Sequence, residues 1–158
     1  MVFEEIKCSN DDETYMLEAL KEAAKAASEG EVPVGAVIVK DGAVIARAHN
    51  RIENAGRSSA HAEMLAIEEA ERNLGAKWLS GATMYVTLEP CSMCAGALVL
   101  SRISALVIGA DDPKTGACGS LYEITDDPRL NHRIETRRGV LGDMCAGQLK
   151  QFFRDRRK

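Results

Sequence analysis

Residues 82–109 read ATMYVTLEPCSMCAGALVLSRISALVIG, and this run decides the fold. Ala82 to Leu88 alternates and is rich in β-branched and aromatic side chains, the composition of a strand. Pro90 lacks the N–H that a first helical turn leaves unpaired, so a helix is expected from there through Leu100. Ile103 to Gly109 is a second short apolar run and reads as another strand. Strand, helix, strand in so short a space is a crossover unit, whose two strands run parallel.

Outward from this unit, Asp12 to Ser28 carries Met16, Leu17, Leu20, Ala24 and Ala27 at helical spacing, with Gly30 as a stop. Val34–Lys40 and Ala43–Asn50 flank Asp41-Gly42, a pair that takes the positive φ angles of a two-residue hairpin turn. Polar residues Arg51 to Ser59 read as a loop, and Ala60 to Leu74 as a helix with Leu65, Ala66 and Ala70 on one stripe. Downstream, Ala110–Ser120 reads as a loop, Arg133–Val140 as a weaker strand and Gly142–Arg157 as a closing helix. The expected fold is α/β, a mixed sheet of about five strands with an antiparallel hairpin edge and helices on both faces.

At 158 residues with 46% hydrophobic and 28% charged content, the chain suits one domain, residues 1–158. Its apolar runs are too short to span a bilayer, and Met1 to Glu13 is acidic, so a cytoplasmic protein with no membrane partner is expected. Five irregularly spaced cysteines do not resemble a secreted disulfide framework. Cys8, Cys118 and Cys145 read as small core or surface residues.

The net charge of −4 argues against nucleic acid, but it hides an asymmetry. Residues 129–158 hold nine of the twenty basic side chains and three of the twenty-four acidic ones, leaving eleven against twenty-one before them. Phe152-Phe153 followed by Arg154-Asp155-Arg156-Arg157-Lys158 can neutralise phosphates and stack on bases. The same residues also suit a solvated last helical turn whose cations complement the helix dipole.

The chemistry sits in His61-Ala62-Glu63 and Pro90-Cys91-Ser92-Met93-Cys94. Cysteines three apart place both sulfurs on one helix face, and a first helical turn favours thiolates. With His61 they make a zinc set that leaves the fourth tetrahedral position open to water. Such a centre carries net negative charge, which two helix N-termini would stabilise. Glu63 is two residues from His61 and on a helix points elsewhere, so it reads as a proton carrier and not as a ligand. Alone, His-x-Glu means little and Cys-x-x-Cys is often structural or redox-active. A closed structural site would need a fourth ligand, and the sequence has no second Cys-x-x-Cys or His pair. His49 and His132 read as surface or polar-network residues. Gly116-Ala117-Cys118-Gly119 lacks the Lys-Ser/Thr ending of a phosphate loop.

These motifs resemble those of the zinc-dependent cytidine/deoxycytidylate deaminase superfamily, and within it the TadA-like tRNA adenosine deaminases. The resemblance extends to Glu31-Val32-Pro33-Val34-Gly35-Ala36, Thr87-Leu88-Glu89-Pro90, Asp112-Pro113-Lys114-Thr115-Gly116, Gly119-Ser120-Leu121, Asn131-His132-Arg133 and Phe152-Phe153-Arg154. It implies a three-layer α/β/α cytidine deaminase-like fold and conversion of adenosine to inosine at the wobble position of a tRNA anticodon. By this resemblance His61, Cys91 and Cys94 hold one Zn2+ per subunit, water activated there attacks C6 of a flipped-out adenine, and Glu63 moves the protons. Asn50 matches a substrate-contacting Asn, Val32 and Ala62 line the base pocket, and Asp112, Lys114, Phe153 and Arg154 contact the anticodon stem-loop. A homodimer whose RNA site uses both subunits is also implied. His49 and the Arg51–Ala60 loop depart from the family pattern. Two other readings stay open: a deaminase of free guanine, cytosine or a nucleoside, and a non-catalytic RNA-binding module that keeps structural zinc.

Overall fold

A computed structural model describes residues 3–157. Met1, Val2 and Lys158, at the ends of the acidic N-terminal stretch and the basic tail, lie outside the described residues. The order is α1 (Asp11–Ser28), β1 (Gly35–Lys40), β2 (Ala43–His49), α2 (Ile52–Ala55), α3 (Ala62–Leu74), β3 (Ala82–Leu88), α4 (Ser92–Leu100), β4 (Ala105–Ala110), β5 (Glu135–Arg138) and α5 (Gly142–Arg156). One five-stranded sheet runs β2-β1-β3-β4-β5. β1 pairs antiparallel with β2 and β3, while β3, β4 and β5 are parallel, so the expected mixed sheet with a hairpin edge is present.

The strands alternate between two buried faces. Ile38, Met84, Leu106 and Ile108 join Ala66 of α3 and Leu98 of α4 in one core, whereas Val37, Tyr85 and Val107 join Met16 and Leu20 of α1 and Cys145 of α5 in another. A sheet apolar on both sides needs a helical layer on each, which gives the three-layer α/β/α arrangement of the cytidine deaminase-like fold. α1 lies close on β1 because Gly35 has no side chain; a Cβ there would run into the Ala19 carbonyl and the Ala23 N–H. The hairpin turns through Asp41 (φ 52°) and Gly42 (φ 74°), as Asp-Gly predicts.

Several elements differ from the sequence expectation. The loop at Arg51–Ser59 contains the single-turn helix α2, because the Glu31 carboxylate accepts the N–H groups of Glu53 (3.1 Å) and Asn54 (2.8 Å) that such a turn leaves unpaired. α4 starts at Ser92 and not Pro90, since Cys91 still has extended dihedrals. β4 starts at Ala105, after Arg102 turns the chain at φ 59°. β5 shortens to Glu135–Arg138, a charged edge strand of the kind that discourages further pairing.

A polar link ties β5 to α1. Arg137 donates to both Asp12 oxygens at 2.8 and 3.0 Å, and the Tyr85 hydroxyl donates to one of them at 2.9 Å. The Arg137 guanidinium holds the Asp12 carboxyl below its ordinary range. A lowered carboxyl contributes stability that is present above the unfolded pKa and fades as pH falls through the folded one. Asp12→Asn should therefore cost on the order of 1 kcal/mol in urea unfolding at neutral pH, because Arg137 is partly exposed and the Tyr85 hydroxyl loses a charged acceptor. The cost should shrink as pH falls through the lowered Asp12 range; a difference that stays constant into acid would contradict this account.

Candidate metal centre and active site

β3 and β4 are parallel, and the site forms beyond their carboxyl ends, the usual location in open α/β sheets. Each of two helices is entered through a ligand-type side chain. His61 precedes α3 (φ −75°, ψ 149°) and Cys91 precedes α4 (φ −75°, ψ 178°), and neither side chain caps its own helix. Cys94 occupies the first turn of α4. His61 Nδ1 lies 3.8 Å from Cys91 Sγ and 3.6 Å from Cys94 Sγ, and the three ligand atoms fall within 4.8 Å of one another.

A tetrahedral ion bonded to sulfur at about 2.3 Å and to nitrogen at about 2.0–2.1 Å requires N···S edges of roughly 3.6 Å. The two observed separations agree to within a few tenths of an ångström. Charge points the same way. The Cys94 thiol and His61 lower the Cys91 thiol, while the neighbouring Cys91 sulfur and burial push the Cys94 thiol up. Two such close sulfurs ionise together only with positive charge between them. These three residues are a candidate metal site, and they fit one.

Glu63 lies in the first turn of α3, buried to 4% exposure, and its Oε1 has no hydrogen-bond partner among the described residues. Burial pushes its carboxyl up to about 7, against the pull of His61. It stands outside the three-ligand cluster. A buried carboxyl oxygen without a partner is destabilising, and a group so placed, titrating near neutrality, is suited to carry a proton.

Asn50 is buried and uses both ends of its amide within the chain: Oδ1 accepts the Ala62 N–H at 2.9 Å and Nδ2 donates to the Val32 carbonyl at 3.3 Å. It thus ties the segment before β1 to the start of α3. Val32 is half-buried and lines a cleft of about 550 Å³ with Ile52, Phe152, Phe153 and Arg156. Ala62 has no exposed surface and packs in the core, and its backbone N–H is the group that Asn50 engages. Asp112 folds onto its own turn, accepting from the N–H groups of Lys114 (3.0 Å) and Thr115 (3.2 Å) and the Thr115 hydroxyl (2.7 Å). Lys114 is exposed, and Arg154 is exposed on α5 beside Gln151.

The basic C-terminal segment is smaller than its composition indicates. Arg129, Arg133, Arg137 and Arg138 pair within the chain with Asp127, Asp126, Asp12 and Glu89, so the outward positive charge gathers on α5. His49 bridges Glu22 and Glu29, and His132 meets the Ile103 carbonyl, both as polar-network residues. Sequence reasoning missed three buried acids, Glu22, Glu31 and Glu89. Burial alone would push the Glu89 carboxyl up, but the Ser120 hydroxyl and the N–H groups of Asp112, Ser120 and Cys118 outweigh it and hold it at about 2. A charged residue at the end of an apolar strand was the available signal.

The profile of the MafB19-like deaminases matches residues 10–157. A tRNA-specific adenosine deaminase of Bacillus subtilis (strain 168) is 57% identical over 147 residues, 93% of this chain and 91% of that protein. One of Aquifex aeolicus (strain VF5) is 49% identical over 142 residues, 90% of this chain and 93% of its own length. A structure solved in a study of A-to-I editing by tRNA:A34 deaminases at the wobble position of transfer RNA superposes with a TM-score of 0.82 at 43% identity, covering 85% of this chain and 98% of that one. The guanine deaminase from Nitrosomonas europaea superposes with a TM-score of 0.76 at 25% identity, over 92% and 86% of the two chains. On this combination of fold, site and near full-length identity, the chain belongs to the MafB19-like deaminase family, among the tRNA-specific adenosine deaminases.

Proposed function

We infer that the chain is a zinc-dependent hydrolase that converts adenosine to inosine at the wobble position of a tRNA anticodon. The observation that carries this reading is the buried Glu63 carboxyl, one oxygen of which has no partner among the described residues, beside a three-donor metal set in a chain 57% identical to a tRNA-specific adenosine deaminase. His61, Cys91 and Cys94 would hold the zinc, which when bound supplies a Lewis acid that makes water acidic near neutrality. Glu63 takes a proton from the attacking water and delivers it to adenine N1, then a second to the departing amine, acting as base and then acid. One C–O bond forms at C6, the C–N bond breaks, and ammonia leaves. Asn50 keeps Val32 and the start of α3 in register around the base, and Phe153, Arg154, Asp112 and Lys114 flank it as the contacts to the anticodon stem-loop. A carboxyl near 7 is matched to such two-way transfer, and burial supplies that match.

We further propose a homodimer. α4 is strongly apolar; Cys94, Leu98 and Val99 face the core, but Met93 and Leu100, one above the other on the helix, face outward, with Leu100 78% exposed. A second copy of the same helix would cover them. No helix among the described residues is long and apolar enough to cross a membrane, and tRNA as substrate places the enzyme in the cytoplasm.

Zinc-loaded protein should release ammonia and form inosine on an anticodon stem-loop with wobble adenosine. Ammonia from free guanine in its place would support the free-base reading, to which the Nitrosomonas europaea likeness lends its weight. Glu63→Gln should keep one zinc per chain by elemental analysis while turnover falls by about 100-fold or more; retained turnover would remove Glu63 from its role. Leu100→Lys should halve the mass found by sedimentation without unfolding the chain, and an unchanged mass would place the interface elsewhere.

A further inference from the structure

Glu89 ends the segment after β3, two residues before Cys91, and its side chain has no exposed surface. Its two oxygens gather donors from the 112–120 stretch and from Arg138 of β5. Oε1 accepts from the Asp112 N–H (3.1 Å), the Ser120 hydroxyl (2.5 Å) and Arg138 Nη2 (2.9 Å). Oε2 accepts from the N–H groups of Cys118 (3.0 Å) and Ser120 (3.0 Å). Arg138 closes the arrangement, donating also to the Cys118 carbonyl and to Asp111 at 2.7 Å. Gly116 permits the wrap, since a Cβ there would run into the Glu89 carboxylate and the Asp112 carbonyl.

The segment so held closes on itself through turn bonds and buries Ala117 and Cys118, and Glu89 is the side chain that joins its two ends. Residues 111–123 contribute no regular strand or helix, and Lys114, Thr115, Ser120, Leu121 and Tyr122 are exposed. Its inner side is pinned beside the metal centre, where the Ala117 N–H donates to the Pro90 carbonyl at 2.9 Å. The outer side faces solvent. A carboxylate whose lone pairs are all engaged by a loop has no capacity left for acid–base work or ligation. What it does is fix backbone, and a loop fixed before contact spares the substrate the entropy of ordering it.

We propose that Glu89, together with Arg138, is a positioning residue that holds the Asp112–Tyr122 loop as a preformed surface for the polynucleotide flanking the reacting base. The polynucleotide rests on the function proposed above; the hold on the loop does not. Releasing the loop should weaken capture of the stem-loop and leave the chemical step on bound substrate nearly intact.

The test uses full-length, zinc-loaded protein carrying Glu89→Gln, in which the new amide NH2 opposes the N–H donors on one side. Amide exchange at Asp112, Cys118 and Ser120 should accelerate about ten-fold or more while α4 amides and zinc content stay unchanged. KM for the anticodon stem-loop should rise about ten-fold, with kcat within about three-fold. Unchanged exchange overturns the proposal, as does a fall in kcat at constant KM, which would mean that Glu89 serves the metal helix. If Glu89→Gln does not fold, Ser120→Ala removes one donor and should show the same split at about three-fold, with unchanged exchange and KM again overturning it. Should wild-type protein leave the stem-loop unreacted, the functional reading fails, and amide exchange still decides whether Glu89 holds the loop.

Discussion

Two thiols and an imidazole within 4.8 Å of one another, beside a buried carboxyl, form an electrostatically strained group, and the architecture is arranged to hold it together. Left to themselves the sulfurs repel as thiolates, and the carboxyl is driven toward its neutral form. The fold answers with geometry. Starting α3 and α4 beyond the carboxyl end of the sheet aims two helix N-termini at the same place, and their dipoles favour negative charge there. Because His61 and Cys91 sit at the entry position of each helix, their side chains are set by rigid elements.

Around this centre the loops are fixed by buried polar side chains that act on backbone. Glu31 supplies acceptors to α2, Asn50 joins the segment before β1 to α3, and Glu89 gathers the segment after β4. All three are buried next to chain that lacks regular hydrogen-bond partners of its own. The division of labour is physical: strands and helices fix the metal donors, and single polar side chains fix the surfaces a substrate would meet. Loss of one anchor would loosen a loop while the core stayed intact.

Much of the fold was legible in the sequence because periodicity and turn chemistry are local. Ala82–Leu88 was read to the residue, and Asp41-Gly42 marked the hairpin, since these signals need no knowledge of the rest of the chain. The candidate metal donors His61, Cys91 and Cys94 were legible from spacing and residue type as a cluster the fold brings together. The short helix α2 was not, because its cap comes from Glu31, twenty-two residues before Glu53. The start of α4 was misplaced because Pro90 suits both a first helical turn and the extended approach it takes here. The strength of the basic segment was overstated for the same reason: a count of charges cannot tell that Arg137 pairs with Asp12, 125 positions away. Resemblance supplied the roles of Asn50 and Ala62, and only the structure shows the Asn50 amide bonded to the Ala62 backbone.

The central claim is that two thiolates and one imidazole, set by two helix starts, hold a metal with one coordination position left to solvent. X-ray absorption on the zinc-loaded protein measures this directly. The account predicts two sulfur neighbours at about 2.3 Å and two lighter neighbours at about 2.0–2.1 Å, of which Glu63→Gln leaves the count unchanged. A shell of three or four sulfurs, or the loss of one light neighbour in that variant, would contradict it.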